Sequence, residues 1–207
     1  MPWEHRGGNR LAGWLMIALA LAVLTVAIDS VASDHGDASS GGRRTGPIGN
    51  HMPDEVRTLL SFVDTMTARG GTAGGHEFAA AGVRYVAAAL GSVATSAGLN
   101  VDAELEAIRE HATHIERDPR PRERTAHARA AFHTIAALFE AVQHARFRGL
   151  EPDVANVSRA ASSLRAEYRL VDQSDVVQEF FNGAASAIRA MNHEMSSPPP
   201  NPVSTAA

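Results

Sequence analysis

Ten histidines and not one cysteine frame the chemistry open to this chain. Without thiols there are no disulfides, Cys-based zinc sites, iron–sulfur clusters or covalent haem. The Cys that a bacterial lipoprotein carries after its leader is missing too. Imidazoles and carboxylates remain, and these are ligands for borderline metals. Glu140 and His144 stand four apart, which puts both on the outward face of one expected helix, with His133 on the same side. His111 and His114 stand three apart; His111 falls at the edge of that helix's buried stripe and His114 points to solvent. A sharper set depends on processing. Cleavage after Ala32 would make Ser33-Asp34-His35 the new terminus, whose amine, two deprotonated amide nitrogens and imidazole can wrap Cu(II) or Ni(II) in a square plane. The candidate metal ligands are therefore Ser33, Asp34 and His35, with Glu140 and His144 as a shallow surface pair. For the helical histidines the alternative is plain solvation.

Signatures of catalysis are missing. His76-Glu77 opens like a zinc-protease helix, but Ala80 stands where the second His must be. The glycine-rich stretch from Gly70 to Gly75 follows no strand and leads to no Gly-Lys-Ser/Thr, so it is no phosphate cradle. No Glu-x-x-His pair of a di-iron bundle occurs. The expectation is a protein that is not an enzyme and has no resident cofactor, copper or nickel aside.

The elements that must position these residues follow from apolar spacing. Val56, Leu59, Val63 and Met66 are spaced 3, 4, 3, which lines one stripe of a helix. Leu105, Ile108, Ala112 and Ile115 repeat the pattern 49 residues on, and Val154, Val157, Ala161 and Leu164 repeat it again. A second seam does the same: Val83, Val86, Leu90, Val93; Phe132, Ile135, Phe139, Val142; Phe181, Ala184, Ile188, Met191. Ala87, Ala136 and Ala185 are identical across the three. The fold class is all-α: six amphipathic helices as three hairpins on a 49-residue repeat. Six unrelated helices of similar length are the competing account.

Breakers mark the boundaries. Pro53 and Asp54 open the first helix and Gly70-Gly71 closes it. Gly98-Leu99-Asn100, Asp118-Pro119-Arg120-Pro121, and Gly149 with Pro152 separate later helices. Thr125 and Ser174, at equivalent places before the second helix of a hairpin, are expected as N-caps; His76 departs from that pattern. Gly183, mid-helix, is expected at a tight crossing. One hairpin's buried quartet cannot offset the entropy of ordering its helices. The hairpins must therefore stack, as a bundle or a short solenoid.

The leader gives the address. Leu11 to Ile28 is an uncharged run of 18 residues with Arg6 and Arg10 before it and Asp29, Asp34 and Asp37 after it. Positive charge stays inside, so the remainder is expected to be exported. Ser30-Val31-Ala32 offers small residues for a signal peptidase. Residues 1–32 are a signal peptide or, uncleaved, an N-terminal anchor tethering the chain to the inner membrane through residues 11–28. Residues 33–52 read as a flexible linker, 53–194 as the helical domain, and 195–207 as a disordered, proline-rich tail. Localisation is expected to be periplasmic. Every base is Arg and the formal net charge is −4. That balance, with few aromatics, argues against nucleic acid and leaves a protein partner.

Arg129-Ala-Ala-Phe132, Asp172 to Phe181 and Ala187-Ile-Arg-Ala-Met191 carry a resemblance. Across roughly residues 100–192 the chain resembles an uncharacterised family of exported all-helical bacterial proteins. More faintly, Phe132 in its Arg-x-x-Phe setting is similar to helical domains attached to heavy-metal efflux adaptors. That second resemblance implies copper or silver handling.

Overall fold

The structure, a computed structural model, describes residues 52–68 and 75–197. The leader, the linker to residue 51 with Ser33, Asp34 and His35, the Gly70-Gly71 stop and the tail from residue 198 lie outside the described residues. Six α-helices follow one another: α1 (Asp54–Ala68), α2 (His76–Ser96), α3 (Asp102–Arg117), α4 (Pro121–Arg146), α5 (Glu151–Ser163) and α6 (Ser174–Ser196). A single 3-10 turn, Leu170–Gln173, precedes α6, and no strand occurs among the described residues.

Every seam position inferred from the 3, 4, 3 spacing is buried in one continuous apolar core, and so are Ala87, Ala136 and Ala185. Each helix turns its stripe inward because only that face is free of charge. The hairpins α1/α2, α3/α4 and α5/α6 pack as pairs, and α2 also lies along α3. α6 returns to pack on both α1 and α2. That closure makes the domain a bundle rather than an open solenoid. α2 is long and apolar enough to cross a membrane, but most of its apolar window is buried among its neighbours, as befits a core helix.

Burial follows the 49-residue shift, whereas helix boundaries do not, so a duplication is not established. α4 begins at Pro121, and the equivalent Leu170 begins only the 3-10 turn before α6. The expected caps are corrected here. Thr125 lies buried inside α4, its Oγ1 donating to the Pro121 carbonyl at 3.1 Å. Ser174 is already helical and follows Gln173, which makes no side-chain cap. Helix α4 starts a turn early because Pro121 at its first turn has no N–H to satisfy and a φ suited to a helix.

Gly98 ends α2 as expected. Its φ of +78° suits glycine; its N–H donates to Thr95 (3.0 Å) and Leu99 N–H reaches back to Ala94 (2.9 Å), closing a Schellman motif. At Gly183 α6 comes close to the backbone of α5, as expected: a Cβ there would meet Val157 N and Cγ2 at 3.7 Å, an ordinary contact that still leaves room for a methyl. Side chains crowd two other glycines. On Gly82 a Cβ would run into the Phe181 ring, with ring atoms at 2.7 and 2.8 Å, and on Gly91 into Leu105 Cδ1 at 2.7 Å.

The few buried polar side chains serve the fold. Gln143 Nε2 donates to the Phe147 carbonyl (3.2 Å) past the end of α4. Gln173 ties the α5–α6 connection: its Oε1 accepts from Arg165 N–H (2.8 Å), and its Nε2 donates to the carbonyls of Arg165 (2.8 Å) and Tyr168 (3.3 Å). Among the described residues no buried side-chain donor or acceptor lacks a partner.

Candidate functional site

Two places gather side chains beyond what packing needs. The first is the α3/α4 hairpin. α3 stops at Asp118, whose backbone turns extended before Pro119. Asp118 Oδ1 accepts the Arg120 N–H at 2.8 Å, its two oxygens take the Arg120 guanidinium at 3.3 Å, and the Arg124 side chain donates to the Asp118 carbonyl. The backbone N–H and then the guanidinium of Arg120 hold the Asp118 carboxyl below the usual range. This short turn folds α4 back along α3. His111 and His127 stand eight residues on either side of Pro119 and come together across the hairpin.

Their Nδ1 atoms are 3.3 Å apart, and their ring centres 5.6 Å. The centre separation equals the nitrogen separation plus one ring radius at either end, so the nitrogens meet head on. His114 lies flat on His127, stacked at 4.4 Å and 12°. His114 Nε2 is 3.9 Å from Glu110 Oε1. Burial, then the charge of His127, pushes the His111 pKa down; Glu110 opposes and His114 adds to the lowering. His111 and His127 are half-buried, while His114 is exposed, as the stripe argument expected for His111 and His114.

The second place is an open groove of about 660 Å³ between α1 and α2. Phe62, Phe78 and Tyr85 line it; Phe62 and Phe78 stack at 4.4 Å, and Tyr85 sits 5.2 Å from Phe62. All three keep solvent access, with Tyr85 36 % exposed. Phe62 is backed edge-on by Phe181 at 5.7 Å. An Asp54–Arg57 ion pair, Thr58, Ser61 and Thr65 form the polar rim. A further groove of about 590 Å³ around Tyr168 is bordered by Arg120, Arg122 and Arg169. There Arg169 is tied to Asp172 through two hydrogen bonds of 3.0 Å and Arg120 to Asp118, so most of that basic rim is neutralised in place.

The surface pair expected to take a metal is divided in its engagements. Glu140 Oε1 accepts the Ser158 hydroxyl of α5 at 2.6 Å, while His144 stays exposed. His133, on the same helix, has its pKa pushed down by burial and by Arg129. Among the described residues no three His, Asp or Glu side chains are arranged to hold a metal ion. Sequence reasoning missed His127 and the aromatic groove. The signal for His127 was the turn: a tight hairpin pairs positions equidistant from its centre. The signal for the groove was Phe62, one place off its helix's buried stripe, with Phe78 and Tyr85 seven apart on α2.

No family model, curated protein or solved structure matches this chain.

Proposed function

We propose that this is an exported, non-enzymatic interaction module of the bacterial envelope, docking a protein partner through the α1–α2 groove. The carrying observation is the row Phe62, Phe78 and Tyr85, left in contact with water although the rest of the phenylalanine cluster is buried. Aromatic side chains that offer large contact area at small entropic cost are the usual anchors of protein interfaces. The uncharged run Leu11 to Ile28 behind Arg6 and Arg10 supports delivery across the inner membrane, either as a cleaved leader with a periplasmic product or as a tether. The resemblance to exported helical proteins agrees with that address.

A photo-crosslinking residue placed at Tyr85 in the native host tests this. It should give a discrete envelope adduct that the same probe at exposed Ala155 of α5 does not. Protease added to spheroplasts should reach the domain. Equal labelling from both positions, or a protected domain, rejects the proposal.

A second reading, a periplasmic copper or nickel binder, rests on the Ser33-Asp34-His35 terminus that cleavage after Ala32 would expose, or on the Glu140 and His144 pair on the surface of α4. Calorimetric titration of the mature chain with Cu(II) should show micromolar or tighter binding, lost in His35→Ala if the terminus is responsible and in His144→Ala if the helices are. No heat above dilution removes this reading.

A further inference from the structure

We propose that His111, His127 and His114 form a proton-operated latch between α3 and α4, closed at neutral pH and released when the His111–His127 pair takes up a second proton. The head-on geometry dictates the order of events. With both rings neutral, one Nδ1–H donates to the lone pair of the other Nδ1 across the 3.3 Å gap. A first proton enters at the free Nε2 of the donating ring, which keeps the N–H···N bond and strengthens it by charge. A second proton has to occupy the accepting Nδ1. Two N–H groups then point at one another, and two like charges face each other on a half-buried surface.

The third ring raises the stakes. His114 lies flat on His127 at 4.4 Å, and its charge, like that of His127, lowers the His111 pKa. The surrounding charges can neutralise some of this, but they are largely committed. On α3, Glu110 is the carboxylate that faces His111 and His114. From the turn, Asp118 senses His127 but is held by Arg120, and Arg124 donates to its carbonyl. Glu123 of α4 leans towards Arg120 at 4.0 Å. From α2, Arg84 is paired with Glu116, and His76 acts on that same carboxylate. Glu110 is thus left to balance charge on the histidines of its own helix. The depressed pKa of His111 agrees with a cluster that resists full protonation.

Ala112 and Ile115 of α3 and Ala128 of α4, each next in sequence to one of these histidines, are buried, so release of the latch loosens this hairpin first. The latch shares no residue with the α1–α2 groove, and either proposal can fail alone.

The full mature chain in EDTA, which removes any metal contribution, is the sample. A His133→Gln background removes the other histidine of lowered pKa. Imidazole-resolved NMR titration should place the His111 midpoint below 6.5, with His127→Gln moving it upward. In thermal melts, Tm should fall from about pH 7.5 to about pH 5, across the window where histidine charges. His127→Gln or His111→Gln should at least halve that fall, whereas His144→Gln should leave it intact. A fall that survives both variants, or a His111 midpoint indifferent to His127, overturns the latch.

Discussion

Two stacks of rings, each with centres 4.4 Å apart, hold different parts of this bundle together: Phe62 on Phe78, and His114 on His127. The first belongs to a chain of aromatics linking α1, α2, α4 and α6. Phe132 lies flat on Phe180 at 3.8 Å, and Phe181 stands edge-on to Phe62, Phe132 and Phe180. The second joins only α3 and α4. Similar geometry gives opposite behaviour. Benzene rings carry the same quadrupole at every pH, so their stack depends on packing alone. Imidazoles change charge in the range where proteins work, so theirs is conditional. α4 takes part in both, with His127 five residues from Phe132.

Breaking the aromatic region should have the largest effect. Phe181→Ala removes a fully buried ring shared by three helices, and should cost about 3–5 kcal/mol in denaturant melts. Gly82→Ala forces a methyl into that ring and should cost about 1–3 kcal/mol, even though alanine favours a helix. The histidine region should answer to acid rather than to volume. His111 and His133 titrate below their ordinary 6.5 in the folded chain, so the unfolded chain binds more protons under mild acid. Their contribution to stability is complete above about pH 6.5 and falls away as the pH drops through the folded values. Urea midpoints taken across that window should decline, and phenylalanine variants should shift the curve without changing its slope. Gly183→Ala should be the mildest change, a gain of up to about 1 kcal/mol, because its new methyl meets Val157 at ordinary contact.

The same comparison shows how much was legible beforehand. The buried face of each helix could be read in full, because 3, 4, 3 spacing is a property of one helix and charge is kept off that stripe. Which helix lies against which could not. Phe181 and Gly82 are remote in sequence, and nothing in either stripe names the other. Gly183 shows the same limit: a glycine reports room for a close approach, here to the Val157 backbone, without naming the neighbour that uses it. Thr125 was misread as a cap because Pro121, the stronger start signal, was counted only as the end of the preceding helix. The histidine cluster was half legible. His111 and His114 share a helix and so showed together, whereas His127 needed the hairpin to be folded around Pro119. The aromatic groove fell between these cases, its residues plain in the sequence and their exposure set by how α1 rests on α2. The Ser33-Asp34-His35 set lies outside the described residues.

The Gln173 amide carries one last consequence. It reinforces the turn between Arg165 and Tyr168 through three hydrogen bonds, so this part of the α5–α6 connection is held by a neutral side chain, next to the charged Arg169–Asp172 pair. An uncharged clasp is indifferent to salt and acid alike, and the neighbouring Asp172 carboxyl, held low by Arg169, keeps its charge in mild acid. The connection should therefore resist proteolytic nicking under conditions that slacken the α3/α4 end, giving the domain one joint that yields and one that does not.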